Sequence, residues 1–443
     1  MTDATTDDSQ HFTKAVTQLG EVSQVIASQA IYNNKGVKII DKGAAINMRL
    51  YERLMQHQLS APIEDSVTSG NAVNGKTLRA TAEAAILSTP FFGRLAEDPK
   101  TRMVLLDAIE KIPLPGPIAF QLTLARDLHP QIYLHSVWMA LMAGWLALEP
   151  LGTRFDIGMA AAAGLLHDIG MLHLDPLLLQ PWQQLDEQQR RQLYAHPVVS
   201  KALIDRHHEY TKEVVRAVLE HHEFLDGSGY PRHLAVGNIS ALGRIVAVAE
   251  VVTAMFAPGR EAGELRISVI LRLNTHRYEP ALVAKVLRLL KPAQDEQIVS
   301  QSPMPDAIGR LVQLNTLMAE WPAALIQPAT LPELQRLVLA GLTAQVSQLN
   351  RALATAGAAP AQLAQLGADG LDDLLQQEMS LLASEATWQL RTLARSARRQ
   401  WQPSPQSASP DALLHWLDAV DALVDGKAES TPSETSDTKH SAS

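Results

Sequence analysis

Ten of the fifteen histidines in this chain fall between His129 and His233, within a segment whose apolar residues recur at helical spacing. Imidazoles gathered on helices, with carboxylates at matching positions, constrain the fold strongly. The helices must pack so that several polar rings meet, and a shared cation is the usual reason for such a meeting. His167-Asp168, in the run Gly164-Leu165-Leu166-His167-Asp168-Ile169-Gly170, is answered downstream by His221-His222-Glu223 and by the loop Asp226-Gly227-Ser228-Gly229-Tyr230-Pro231. Asp168 closes an Ala-rich helical pattern and Gly170 ends it, which leaves the pair where a ligand can reach. His221 and His222 close another helical pattern, and His196 stands before Pro197 at a junction between two more.

Composition supports a mainly α protein. Aromatic residues are 5% of the chain while Ala and Leu abound, which favours helix over sheet. A length of 443 residues exceeds one ordinary core and suggests two or three domains. No cysteine is present, which excludes disulfides, thiolate metal sites and cysteine nucleophiles. The net charge of −9 gives no basic footprint for nucleic acid. The polar, acidic start is unlike a secretory signal. The apolar run Val137–Leu148 is too short to span a bilayer. The expectation is a cytoplasmic protein that binds neither nucleic acid nor membrane.

Along the chain, residues 1–11 are expected to be disordered. Residues 12–68 form a small α+β module, with a hairpin whose strands 28–32 and 37–40 flank an Asn/Gly turn. Residues 66–75 are a linker by composition. A helical domain follows over 77–292, with helices at 77–88, 100–111, 130–148, 155–169, 186–195, 198–206, 211–222, 242–256 and 280–289. A helical extension covers 300–425, with helices at 306–320, 331–353, 360–395 and 410–424. In it, Arg391, Arg395, Arg398 and Arg399 form a basic stripe best read as a solvated face. Residues 426–443 are Ser/Thr-rich and expected to be disordered.

His135, His167-Asp168-Ile169-Gly170, His196-Pro197, His221-His222-Glu223, Asp226 to Pro231 and Arg244 to Ala249 occur in the order seen in HD-GYP proteins, a subgroup of the HD phosphohydrolases. The resemblance covers roughly residues 125–257. It implies an all-helical HD-type domain with two divalent metal ions, iron or manganese, hydrolysing cyclic di-GMP to the linear dinucleotide in bacterial signalling. By position, one metal takes His135, His167 and Asp168. The other takes His196, His221 and His222, with Asp168 bridging. The remaining ligand of the family, an Asp, is here Glu250. His167 and Asp168 are the catalytic pair, and Gly229, Tyr230, Pro231 and Arg260 the substrate-binding residues. The resemblance also points to diguanylate cyclase (GGDEF) domains as partners through the Gly-Tyr-Pro loop, and the helical extension offers a surface for a homodimer. His129, His173, His207, His208 and His233 lack comparable partners and are read as ordinary structural histidines.

The pattern is broken in places. The lysine that usually follows His-Asp-Ile-Gly is Met171, which can neither donate a proton nor hold a phosphate oxygen. The usual basic, aromatic segment after the last ligand is Ala257 to Gly263, where Arg260 alone is basic. Gln131 stands where trinuclear members carry Glu, so two metals are expected. The alternative reading is a degenerate domain that binds metal or nucleotide and acts through protein contacts. A third is hydrolysis of another nucleotide.

Overall fold

The computed structural model describes residues 4–149, 152–179, 185–256, 263–290, 306–321, 332–369, 372–401 and 410–424. The fold is mainly α. It forms two compact units, one of residues 1–267 and 275–292, the other of 268–274 and 293–443.

In the first unit, helix α1 (Ala4–Val22) precedes strand β1 (Val25–Ala27), then the hairpin β2 (Ile31–Tyr32) and β3 (Lys38–Ile40). The hairpin is antiparallel, with Ile31 opposite Ile40, and Gly36 turns it at φ 76°, a conformation that favours glycine. The short α2 (Tyr51–Met55) leads to β4 (Val67–Ser69). Two expectations are corrected here. The chain is helical from Ala4, because Phe12, Val16 and Leu19 are buried and anchor α1. Nor is 66–75 a linker, because β4 pairs antiparallel with β1, Val25 opposite Ser69. The module is therefore built into the helical unit.

Helices α3 (Gly75–Ser88), α4 (Pro90–Leu95), α5 (Pro99–Glu110) and α6 (Gly116–Leu128) follow. Helix α6 was hidden in the sequence by Pro113, Pro115 and Pro117. Pro117 lies in the first turn, where a missing N–H costs nothing. The centre of the unit is α7 (Pro130–Ala147) against α8 (Arg154–Leu166). Helix α7 is apolar nearly all round, and Val137, Met139, Ala140, Leu141, Met142 and Leu146 are fully buried. Each large side chain of this kind contributes about 1.5–3 kcal/mol. A Cβ on Gly164 would lie 2.5 Å from the Met139 carbonyl oxygen, so only glycine lets these helices approach so closely. Residues 154–173 are long and apolar enough to cross a membrane by composition, but 67% of that stretch is buried within the fold.

The first unit continues with α9 (Glu187–Leu193), α10 (His196–Ile204), α11 (Lys212–Glu220), α12 (Ala241–Thr253) and α14 (Pro280–Leu289), while α13 (Gly263–Leu273) begins in the first unit and ends in the second. Thr153, Thr211 and Ser240 cap α8, α11 and α12, each satisfying an N–H that the helix leaves free.

The second unit contains α15 (Ala307–Ala319), α16 (Glu333–Thr355), α17 (Pro360–Asp369), α18 (Asp373–Gln400) and α19 (Pro410–Val424). One helix expected over 360–395 is two, because Asp372 caps a new start by accepting from the Leu375 N–H. Leu382, Ala386, Leu390 and Ala397 bury one stripe of α18. From the expected basic stripe, Arg398 reaches Asp418 and Asp421 at 2.6 and 2.8 Å, exposed pairs worth about 0–1 kcal/mol. The expected disordered tail 426–443 lies outside the described residues.

Candidate metal centre

Five helices deliver seven side chains to one place. His135 comes from the second turn of α7, and His167 caps the C-terminus of α8 with Asp168 next to it. His196 begins α10, His221 caps α11 with His222 beyond it, and Glu250 lies in the last turn of α12. Helix termini suit this purpose, because the chain leaves its helical path there and can turn two adjacent side chains toward one point.

The side chains form two groups. Asp168, His196, His221 and His222 offer ligand atoms within 4.8 Å of one another, and so do His135, His167 and Glu250. Asp168 faces both groups. Its Oδ1 lies 3.2 Å from His196 Nε2 and 3.6 Å from His221 Nε2, while its Oδ2 lies 3.3 Å from His167 Nε2. Glu250 Oε2 sits 3.0 Å from His135 Nε2 and 3.2 Å from His167 Nε2. The extra methylene relative to aspartate does not keep Glu250 out of the cluster.

Three of the rings are oriented by the backbone. His167 Nδ1 lies 2.7 Å from the Gly164 carbonyl oxygen, His196 Nδ1 2.7 Å from that of Leu193, and His221 Nδ1 2.7 Å from that of Val218. A carbonyl only accepts, so each Nδ1 carries a proton and each Nε2 faces inward, where loss of any proton on it frees a lone pair for a cation. Two buried atoms at the centre, His167 Nε2 and Asp168 Oδ1, have no hydrogen-bond partner among the described residues. Buried polar atoms left so are costly, and a cation on the inward lone pairs would satisfy them. Five imidazoles and two carboxylates, with no thiolate, suit borderline divalent ions such as iron or manganese. The residues therefore fit the two-metal expectation.

Burial opposes charge on Asp168, but His167 and His196 hold its carboxyl well below the usual range. Glu250 is lowered likewise against its burial, by His135 and His167. Burial also works against a charged His167, yet Asp168 and Glu250 push it up to about 10. Burial, with His221 and His196 alongside, drives His222 well below its ordinary value. The side chains of Asp168, Glu250 and His135 keep 15%, 19% and 20% of their surface exposed, so the centre opens to solvent at the carboxylates.

The loop after α11 packs against His222. Tyr230 stacks on His222 with centroids 4.6 Å apart, and Tyr194 stacks on Tyr230 at 4.3 Å. Buried Glu223 accepts from the N–H groups of Arg232 and Leu234 at 2.6 and 2.8 Å. Buried Glu220 accepts from Ser240 and from Arg216 and Arg232, tying the end of α11 to the start of α12. Gly229 packs closely, because a Cβ there would lie 2.3 Å from the His222 carbonyl oxygen. Pro231 follows a cis peptide bond. Arg260 lies outside the described residues. Tyr194 escaped the sequence reading because nothing in the local pattern distinguishes it. Glu220 escaped it as one acidic residue among several on a helix.

Residues 138–281 match the family model described as HD domain, a segment that holds every candidate ligand except His135, which lies just before it. The chain is 33% identical over 166 residues to a 3′3′-cGAMP-specific phosphodiesterase of Vibrio cholerae, covering 37% of this chain and 36% of the relative. It is 36% identical over 129 residues to a cyclic di-GMP phosphodiesterase of Pseudomonas aeruginosa, covering 28% and 30%. Over 170 residues it is 32% identical to the cyclic di-GMP phosphodiesterase response regulator RpfG of Xanthomonas campestris, covering 37% and 44%. The chain thus spans less than half the length of each of these relatives.

Proposed function

We propose that this chain, which carries an HD domain of the HD-GYP type, is a two-metal phosphodiesterase that opens cyclic di-GMP or a closely related cyclic dinucleotide to the linear dinucleotide. One observation carries the reading: Asp168 faces one histidine group with each carboxylate oxygen, at 3.2 and 3.3 Å. His135, His167 and Glu250 would hold one ion and His196, His221 and His222 the other, with Asp168 between them. Bound there, divalent ions supply an activated water and hold a phosphodiester oxygen.

The chain's own part is positioning. The three Nδ1–carbonyl hydrogen bonds fix which ring nitrogen faces the centre, so no tautomer must change when a ligand arrives. The partly exposed Asp168, Glu250 and His135 mark the side from which a phosphate can approach. Tyr230, stacked on His222, holds that ring in place. The names of the relatives support a cyclic dinucleotide with two guanines or one guanine and one adenine.

Met171 favours a second reading, a domain that binds metal and works through protein contacts, including GGDEF domains. Its N–H donates to the Asp168 carbonyl at 2.9 Å, so it follows the bridging candidate by one short turn, and its thioether has no charge to offer a phosphate. Incubation of the manganese-loaded chain with cyclic di-GMP, 3′3′-cGAMP and linear dinucleotides separates the readings. Selective opening of a cyclic dinucleotide supports the enzyme, and inertness toward all of them supports the contact-based reading.

A further inference from the structure

Beside the candidate ligands stands a short column of aromatic rings. Tyr230 lies on the ring of His222 with centroids 4.6 Å apart and planes at 29°, and Tyr194 lies on Tyr230 at 4.3 Å and 17°. Tyr230 also meets His196 edge to face, at 6.2 Å. The column therefore starts at two candidate ligand rings and ends at Tyr194, which is 48% exposed.

Tyr32, Phe155 and Trp388 are exposed to a similar degree, and a solitary exposed ring is ordinary on a protein surface. Among the described residues, Tyr194 is the one exposed aromatic residue whose ring contacts lead to the metal centre. Its place in the column is not needed to hold Tyr230. The Tyr230 N–H donates to the His222 carbonyl at 3.0 Å, and the loop beyond it is pinned to buried Glu223 by the N–H groups of Arg232 and Leu234.

Tyr194 is set by its own backbone. It caps the C-terminus of α9, with its N–H donating to the Arg190 carbonyl at 2.8 Å. Two residues later His196 begins α10, its Nδ1 on the Leu193 carbonyl oxygen. The junction that places a candidate ligand thus places the outer ring as well. One face of Tyr194 rests on Tyr230, so its exposure falls on the other face and the rim. A flat aromatic face held beside a centre suited to phosphate is a surface on which a nucleobase stacks, because every base has a π-face.

We propose that Tyr194 is the platform on which one base of a dinucleotide stacks while a phosphate of the same molecule lies at the metal centre. The proposal rests on the cyclic-dinucleotide reading and adds a residue that this reading leaves without a role. Stacking tolerates any base, so Tyr194 favours ligands that carry a base over those that do not, and does not separate guanine from adenine.

The probe is the linear diguanylate pGpG, the product of the proposed reaction, with inorganic phosphate as a ligand that has no base. Both are titrated calorimetrically into the full, manganese-loaded chain. Tyr194→Ala is expected to weaken pGpG by about five- to hundredfold, the range of one base–aromatic stack, and to leave phosphate binding unchanged. The adenine counterpart pApA should weaken with it. Tyr194→Trp, which keeps a ring, should restore most of the affinity. Elemental analysis is expected to find the same manganese content in both variants as in the wild type, which a merely supporting role for Tyr194 would not give. An unaltered pGpG affinity in Tyr194→Ala, or pGpG that binds the wild type no better than phosphate, would overturn the platform. An equal loss of pGpG and phosphate, or a loss of manganese, would make Tyr194 a support of the centre and overturn it too. Turnover of cyclic di-GMP decides the phosphodiesterase reading and these titrations need none, so the two failures are distinguishable.

Discussion

His196 and His221 face each other through their Nε2 atoms, 3.1 Å apart, while the Nδ1 of each ring is held 2.7 Å from a backbone carbonyl oxygen. Both inward nitrogens thus present lone pairs to one another where water is excluded. A cation between or beside them removes the repulsion. Adding manganese or iron(II) is therefore expected to stabilise the fold, by about 2.7 kcal/mol at a free metal concentration a hundredfold above Kd. Thermal unfolding with and without metal measures this, and chelation should reverse it. A midpoint indifferent to metal would contradict the assignment.

The two ligand groups should lose their ions separately. His221→Gln removes a donor from the group of Asp168, His196 and His222, and Glu250→Gln removes one from that of His135 and His167. Each variant is expected to retain about one ion where the wild type holds two. Elemental analysis of metal-loaded, desalted protein reads the number. Asp168→Ala, which takes an oxygen from both groups, should weaken both ions.

Two glycines should respond in opposite ways. Gly229→Ala drives a Cβ to 2.3 Å from the His222 carbonyl oxygen, and its expected cost is on the order of 1–3 kcal/mol. The shift should also loosen the Tyr230 stack on His222. At Gly158, within α8, a Cβ would meet nothing within 4 Å. Gly158→Ala should stabilise by about 0.4–1 kcal/mol. Chemical denaturation of both variants tests the contrast.

His173 predicts a specific limb of the stability–pH curve. Burial, aided by Arg206, pushes it down to about 3 from an ordinary value of 6.5. Between these values the unfolded chain holds a proton there and the folded chain does not. Stability is therefore complete above pH 6.5 and is lost as pH falls, at about 1.4 kcal/mol per unit. His173→Phe keeps a ring against Phe12 and should flatten that limb, as followed by thermal midpoints between pH 7 and pH 5. An unchanged slope would show that other groups govern acid unfolding.

Much of the candidate ligand cluster was legible because metal chemistry restricts residue type and helix ends restrict spacing. His135, His167, Asp168, His196, His221, His222 and Glu250 were all named from sequence, and the fold brings them together. What escaped depends on distant contacts. The pairing of β4 with β1 joins residues some forty apart, and nothing local announces it. Helix α6 was masked by prolines that the first turn tolerates. The close approach of Gly229 to the His222 carbonyl is set by where α11 and its loop come to rest, which the local pattern does not announce. His173 looked ordinary in sequence, and its exposure to a cavity follows from where α1 and α10 come to rest.

The most direct measurement is hydrolysis of cyclic di-GMP by protein purified without air and loaded with iron or manganese, beside Asp168→Ala prepared identically. The expected result is conversion to the linear dinucleotide by the wild type, and loss of at least a hundredfold in the variant, in the range seen for removal of a catalytic electrostatic group (~10²–10³). No conversion by a chain that still binds two metal ions would contradict the phosphodiesterase and turn attention to the contacts of the Tyr230 loop.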